Sequence, residues 1–335
     1  MLWAVSQTRS PEPVRAVALV SGGLDSTLAV KVVQEQGILV IGITFEGAYC
    51  PRPLEGESNA EKAARQLDID LAALPIDQGF IELVKAPRYG HGRNINPCID
   101  CHILMVERAW AWGREHGARF VITGEVLGQR PMSQNKQGLL LVAKRSGAGP
   151  SLLRPLSARL LEPTEPEVSG LVDRERLLDI QGRSRHRQME LAALHGIEEY
   201  PTPAGGCLLT DAGFALRVRE AFAHGEDTVS VIELLGLGRH FRLPSGARLV
   251  VGRNRIENDA LLARAPEGAS VVDATRLPGP VGLVIPGGRD LELAASICAR
   301  YSDRRGEPGV TVIAGGRELV VRPARPEESA RLLVG

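Results

Sequence analysis

The sequence predicts an α/β protein, a doubly wound parallel sheet followed by a smaller α+β domain. Three observations predict it. The apolar run Ala16-Val17-Ala18-Leu19-Val20 leads into a glycine turn and then a helical pattern. Strand-like and helix-like segments then alternate as far as Thr123, and beyond His240 the texture becomes short alternating strands with Gly and Pro turns.

Each element has its own signal. Ser26 to Gly37 reads as a helix because Leu28, Val32 and Val33 recur at helical spacing and Gly37 can cap it. Leu39 to Phe45 and Leu71 to Ile76 read as strands, with a helix over Asn59 to Leu67 between them. A long amphipathic helix is expected over Ile99 to His116, then a strand over Arg119 to Thr123. Leu139 to Leu156 reads as a further strand or hairpin, interrupted by Ser146-Gly147-Ala148-Gly149-Pro150. Helices are expected over Arg183 to His195, Asp211 to Ala223 and Val229 to Leu235, with a break at Tyr200 to Gly206. The domain reading is a flexible tail over 1–13, a nucleotide domain over 14–170, a helical extension over 171–238 and a C-terminal domain over 239–335.

Composition bounds the function. With 335 residues, 44% hydrophobic, 24% charged and no formal net charge, the chain can build two or three cores. Neutrality means that nucleic-acid binding needs local basic patches rather than a global field. There is neither a signal-like N-terminus nor a run of about 20 apolar residues, so the expectation is a cytoplasmic protein without a membrane partner. Five cysteines in such a chain point to metal binding or catalysis rather than a disulfide framework.

The turn Ser21-Gly22-Gly23-Leu24-Asp25-Ser26 sits between strand and helix. Glycines let backbone N–H groups approach an anion, the helix N-terminus adds positive dipole, and Ser21 and Ser26 add hydroxyls. Asp25 beside a polyanion makes sense if it helps to hold Mg²⁺ or the loop itself. The glycine–lysine signature of kinase and GTPase loops is absent. The plainer alternative is a turn that merely joins strand to helix.

Asn96-Pro97-Cys98-Ile99-Asp100-Cys101 places two thiols one helical turn apart at a helix N-terminus, a location that favours thiolate. Cys207 follows the glycine-rich Ala204-Gly205-Gly206. Three readings stand for Cys98, Cys101 and Cys207: ligands of a 4Fe-4S cluster, a persulfide or disulfide relay, or a zinc or structural role. Cys298 reads as a packed helix residue, and Cys50 as spare, kept in reserve because it follows the second strand.

On these motifs the loop resembles that of the ATP-pyrophosphatase (PP-loop) enzymes, an adenine nucleotide alpha hydrolase-like fold. Residues 16 to about 215 resemble the tRNA thiouridine synthetases, above all the pyrophosphatase domain of 4-thiouridine synthetase. Thr123-Gly124-Glu125-Val126-Leu127-Gly128-Gln129, Met132-Ser133-Gln134 and Leu153-Arg154-Pro155-Leu156 resemble further segments of that family. The cysteine segments are similar to those of 2-thiouridine synthetases, in which cluster-dependent members hold a 4Fe-4S centre on three cysteines. The stretch Gly252-Arg253-Asn254-Arg255-Ile256-Glu257-Asn258-Asp259, within 240–325, resembles the RNA-binding module that ends NFACT proteins.

The resemblance implies an ATP- and Mg²⁺-dependent tRNA sulfurtransferase, with 4-thiouridine the favoured product, formed by adenylating a uridine carbonyl oxygen. ATP would meet Ser21, Gly22, Gly23, Leu24, Asp25, Ser26, Phe45, Thr123, Gly124 and Gln129. Asp25, Cys98, Cys101 and Cys207 would carry the chemistry, with the three cysteines as cluster ligands. Arg183, Arg185, Arg187, Arg253 and Arg255 would meet RNA, although alternating arginines equally describe a solvated face. Partners would be tRNA and a sulfur donor, either free sulfide or a sulfurtransferase, and a homodimer is allowed. The rivals are a PP-loop ligase or amidotransferase acting on a small molecule, and an RNA-binding factor switched by ATP.

Overall fold

The computed structural model describes residues 13–201, 207–274 and 279–335. The expected tail up to residue 12 and the 204–206 part of the glycine-rich loop lie outside the described residues.

The N-terminal sheet is built from β1 (Arg15–Leu19), β2 (Leu39–Glu46), β3 (Leu71–Pro75), β4 (Phe120–Ile122) and β5 (Leu152–Leu153). Its order is β3-β2-β1-β4-β5 and every pairing is parallel. Alternate side chains of β1 feed opposite cores, as they must in a strand covered on both faces. Ala16 and Ala18 join Leu28, Val33, Phe120 and Ile122, whereas Val17 joins Ile43, Phe80, Val106 and Val121. The helices that cover the sheet are α1 (Leu24–Gln34), α2 (Asn59–Leu67), α3 (Gln78–Lys85), α4 (Cys98–Glu115) and α5 (Lys136–Arg145). After the short α6 (Glu165–Val168), α7 (His186–Leu194) packs against α1, and α8 (Ala212–Ala223) and α9 (Val229–Leu234) complete this part of the chain.

Two expectations are corrected. Leu139 to Arg145 is helix, not strand or hairpin, and only Leu152–Leu153 of that stretch joins the sheet. Its run of leucines looks strand-like, but Asn135 accepts from Gly138 N at 2.8 Å and caps the N-terminus, while Lys144 and Arg145 suit the C-terminal dipole. Burial falls on Leu139 and Val142, three residues apart, which is a helical face. The helix expected from Arg183 begins only at His186, so Arg183 and Arg185 stand before it. Sequence reading also passed over α3, whose cap Asp77 accepts from Gly79 N at 2.9 Å.

The C-terminal unit is a separate antiparallel sheet of order β11-β10-β8-β9-β7-β6. Its strands are β6 (Arg239–Arg242), β7 (Arg248–Val251), β8 (Ser270–Asp273), β9 (Val281–Ile285), β10 (Val310–Ala314) and β11 (Arg317–Val321). With them run α10 (Arg255–Ala263), α11 (Leu291–Arg300) and α12 (Pro326–Ala330). Cys298 is fully buried in the core between α11 and this sheet, as the apolar run around it implied. No helix among the described residues is long and apolar enough to cross a membrane.

Candidate functional site

In the order β3-β2-β1-β4-β5 the chain reverses direction across the sheet between β1 and β4, and ligands of such sheets bind outside the strand ends at that point. The Ser21–Ser26 turn follows β1 and the Thr123–Gln129 turn follows β4, so both border this crevice.

The first turn is shaped for an anion. Gly23 caps α1 without a side-chain hydrogen bond, which leaves the first backbone N–H groups of the helix for a ligand. Ser26 Oγ donates to Gly23 O at 2.8 Å and lies 3.3 Å from Ser21 Oγ, so both hydroxyls gather at the loop. Gly22 has φ +75°, and a Cβ there would stand 2.1 Å from the Asn59 carbonyl carbon. A Cβ on Gly124 would come within 2.5 Å of Ser26 N. Glycine at these positions lets α2 and the turn after β4 close on the loop. Phe45 is buried near the end of β2, stacked edge-on against Phe80 with ring centroids 5.5 Å apart.

Asp25 lies between two expected sites. Its Oδ2 accepts from Gln129 Nε2 at 3.0 Å and from Arg185 Nη2 at 3.4 Å. Its Oδ1 is buried without a partner, an arrangement that suits a bound cation such as Mg²⁺. Arg185 is thus part of the surroundings of the Ser21–Ser26 loop. Arg183 is exposed, and Arg187 is exposed and paired with Asp179 at 2.5 Å.

The second constellation is centred on the start of α4. Cys98 Sγ donates to Ser133 Oγ at 3.2 Å and also bonds His102, one turn along the helix. His102 Nδ1 lies 2.8 Å from Glu125 Oε1. Glu125 Oε2 in turn accepts from Arg154 Nε at 2.8 Å and Thr123 Oγ1 at 3.0 Å. Alternating charges bias the protonation equilibria along this line. Burial works against the Cys98 thiolate, but His102 outweighs it and holds the thiol below its usual range. Burial also works against a charged His102, yet Cys98 and Glu125 raise it to about 10. Glu125, buried between Arg154 and His102, is lowered to about 2.

The other thiols behave differently. Burial, reinforced by the charges of Cys207, Cys98 and Cys50, pushes Cys101 well up. The expected lowering is therefore found at Cys98, where His102 rather than the helix N-terminus brings it about, and not at Cys101. Burial also raises Cys207, and burial with the charge of Cys207 pushes Cys50 up to about 12. Cys98, Cys101 and Cys207 thus lie close enough to feel one another's charge, and Cys50, set aside in the sequence, packs with Cys207 against the same core. Among the described residues no group of three or more His, Cys, Asp or Glu closes round a single metal ion. In kind, three cysteine thiols are the donors that an iron–sulfur centre takes.

Sequence reading missed His102, Glu125 and Arg154 as a working set. His102 had a legible signal, four residues after Cys98 on a helix; the bond from Glu125 to Arg154 spans 29 residues and had none.

Between this sheet edge and the C-terminal unit lies a cleft of about 760 Å³, lined by Ala48, Pro51, Leu208, Arg217, Glu257 and Arg264 among others. It borders the segments that carry Cys50 and Cys207. Of the two expected RNA residues on α10's side, Arg255 is 92% exposed, whereas the Arg253 guanidinium is tied to Glu257.

Residues 14–144 match the model of the tRNA methyl transferase HUP domain, and residues 238–331 that of the NFACT protein RNA binding domain. A tRNA-specific 2-thiouridylase MnmA from Xanthobacter autotrophicus is 26% identical over 250 residues, 69% of this chain and 60% of that protein. The MnmA of Nitrobacter hamburgensis is 29% identical over 158 residues, 43% of this chain and 39% of its own length. The chain thus spans less than two thirds of either relative. A 4-thiouridine synthetase solved with RNA and ATP is 22% identical, with a TM-score of 0.39, covering 55% of this chain and 41% of that one. The U34-tRNA thiolase NcsA from Methanococcus maripaludis, solved with its 4Fe-4S cluster, is 13% identical, with a TM-score of 0.32, covering 67% and 71%. The chain thus joins in one polypeptide a segment similar to the tRNA methyl transferase HUP domain and a segment similar to the NFACT protein RNA binding domain.

Proposed function

We propose that this protein is an ATP-dependent tRNA uridine thiolase. The observation that carries the proposal is the meeting, at one sheet edge, of an anion loop at an uncapped helix with a partly buried set of thiols, joined through the turn that carries Gly124 and Glu125. The RNA-binding domain match and the thiouridylase names of the relatives support the substrate class.

In this reading the loop residues Ser21 to Ser26 hold the ATP phosphates and Asp25 Oδ1 helps to hold Mg²⁺. A uridine carbonyl oxygen attacks the α-phosphate and pyrophosphate leaves, so the oxygen becomes part of a good leaving group. A sulfur nucleophile then adds at the ring carbon and AMP departs with the oxygen. Cys98, Cys101 and Cys207 would hold a 4Fe-4S centre, whose open iron would supply a binding site for sulfide. His102, with Glu125 and Arg154 behind it, would favour the thiolate of Cys98. An RNA strand would run through the cleft lined by Pro51 and Leu208, the neighbours of Cys50 and Cys207. A cytoplasmic location follows from the tRNA substrate.

The replaced atom is read as O4, on the resemblance of the Thr123–Gln129 and Leu153–Leu156 segments. The relatives named as 2-thiouridylases make O2 the second reading. Nucleoside mass spectrometry of tRNA from a deletion strain tests both. Loss of 4-thiouridine supports the proposal, and loss of a 2-thiouridine moves the target to O2. Unchanged thionucleosides in a strain without a paralogue would sink tRNA thiolation. Anaerobically purified protein should hold about four iron and four sulfide per chain; stoichiometric zinc without iron would remove the cluster.

A further inference from the structure

The basic segment Arg183-Ser184-Arg185-His186-Arg187 looks uniform in sequence, but its three arginines have different surroundings. Arg183 and Arg187 are exposed, and Arg187 is paired with Asp179. Arg185 is turned inward, with its side chain 19% exposed and its Nη2 3.4 Å from Asp25 Oδ2. The backbone delivers it there. Gly182 N donates to Leu127 O at 2.7 Å and Gln181 bridges Leu127, which pins this segment alongside the turn that carries Gln129. Arg185 then forms the N-cap of α7, which packs on α1, the helix that starts from the anion loop. Gln129 and Arg185 consequently reach the same carboxylate oxygen from two directions.

Two buried polar atoms at this contact have no partner. One is the acceptor Asp25 Oδ1 and the other the donor Arg185 Nε. The unmet acceptor and the unmet donor do not satisfy each other although their side chains touch, and buried polar groups left in that state call for an explanation. A metal-bound phosphate chain would satisfy both, the cation meeting Asp25 and a phosphate oxygen meeting Arg185. A guanidinium suits that role because its planar fork matches phosphate oxygens.

We infer that Arg185 is a phosphate-binding residue of the ATP site rather than part of the RNA surface, released from Asp25 when Mg²⁺–ATP enters. The inference rests on the reading of the Ser21–Ser26 loop as an ATP loop. It also gives the segment a second property, because Arg183 and Arg187 remain on the outside of a loop whose central residue touches the nucleotide.

Binding measurements separate these roles. Equilibrium affinities for Mg²⁺–ATP, adenosine and an unmodified tRNA transcript are compared in wild type, Arg185→Ala, Arg185→Lys and Arg187→Ala. Arg185→Ala should weaken Mg²⁺–ATP by about tenfold or more, the loss expected for one charge-assisted contact, and leave adenosine and tRNA affinity within about twofold. Arg185→Lys, which keeps the charge without the fork, should recover part of the loss. Arg187→Ala should leave Mg²⁺–ATP unchanged. Weakened tRNA binding with normal ATP affinity in Arg185→Ala would overturn the inference. So would an equal loss of ATP and adenosine, which is what a purely structural role predicts. If wild type binds tRNA but no Mg²⁺–ATP, the ATP-loop reading itself fails, whatever the arginine variants do.

Discussion

His102 sits between the Cys98 sulfur and the Glu125 carboxylate, and its charge depends on both. Glu125→Gln therefore acts in two places. It leaves the Arg154 guanidinium, whose side chain is only 7% exposed, without its carboxylate, and breaking a buried pair from one side costs about 3–5 kcal/mol. Urea denaturation should show that loss. The variant should also slow alkylation of Cys98 by iodoacetamide at pH 7 by about tenfold, because His102 no longer favours the thiolate. An unchanged alkylation rate would show that Glu125 has no hold on the thiol. The cysteines divide in the same way. Cys298→Ala removes one buried sulfur from an apolar core and should cost about 1 kcal/mol while thiolation persists in cells. Cys101→Ser should abolish thiolation. Equal effects of the two changes would mean that the ligands are wrongly assigned.

At the scale of elements, the Ser21–Ser26 loop depends on how closely two connections can approach α1. Gly124 is the contact point, since a Cβ there meets the Ser26 backbone at 2.5 Å and backbone cannot move aside as a long side chain can. Gly124→Ala should push the turn after β4 away from the loop, cost about 1–3 kcal/mol, and weaken Mg²⁺–ATP binding more than tRNA binding. Paired titrations of the two ligands check this, and equal losses would argue against a local effect. The same closeness explains why Gln129 and Asp25 meet although 104 residues separate them.

For the whole molecule, the C-terminal sheet is fastened to α8 and the turn after it by a knot of four charges. Arg242 pairs with Glu220 at 2.6 Å and with Glu226 at 2.5 Å. Arg248, fully buried, pairs with the same two carboxylates. Arg248→Leu leaves two carboxylates facing one guanidinium and should cost about 3–5 kcal/mol. Limited proteolysis should then cut between the two units; continued resistance would show that apolar contacts alone hold them. Behind this knot His240 is buried, its Nε2 donating to Leu237 O at 2.8 Å and its Nδ1 3.4 Å from Arg248 Nη1. Burial, with the charges of Arg248, Arg217 and Arg253, holds it well below the usual histidine range, hence neutral. A group with a depressed folded pKa supports the fold above its unfolded pKa of about 6.5. That support shrinks as pH falls further, by up to about 1.4 kcal/mol per unit. Denaturation midpoints at pH 7.5 and 5.5 should therefore differ less in His240→Gln than in wild type.

By itself the sequence determined whatever depends on neighbours along the chain. Strand, glycine turn and helix lie within Arg15–Gln34, so the parallel architecture and the anion loop were legible, as were the helix-borne pair Cys98 and Cys101 and the packed Cys298. The change of texture near residue 240 was enough to separate the two sheets. Only the tertiary structure decided which charges face which. Arg185 and Arg187 are two positions apart in one basic run, yet one meets Asp25 and the other Asp179. Arg253 resembles a free cation until Glu257 is seen to tie it, and Cys50 looked spare until folding placed it beside Cys207. The leucine-rich stretch 139–145 was misread because its residues suit a strand, while the cap at Asn135 and a one-sided core made it a helix. Local patterns follow from covalent spacing. The identity of a charge's partner is set by how distant segments pack, and burial then decides whether that charge is kept.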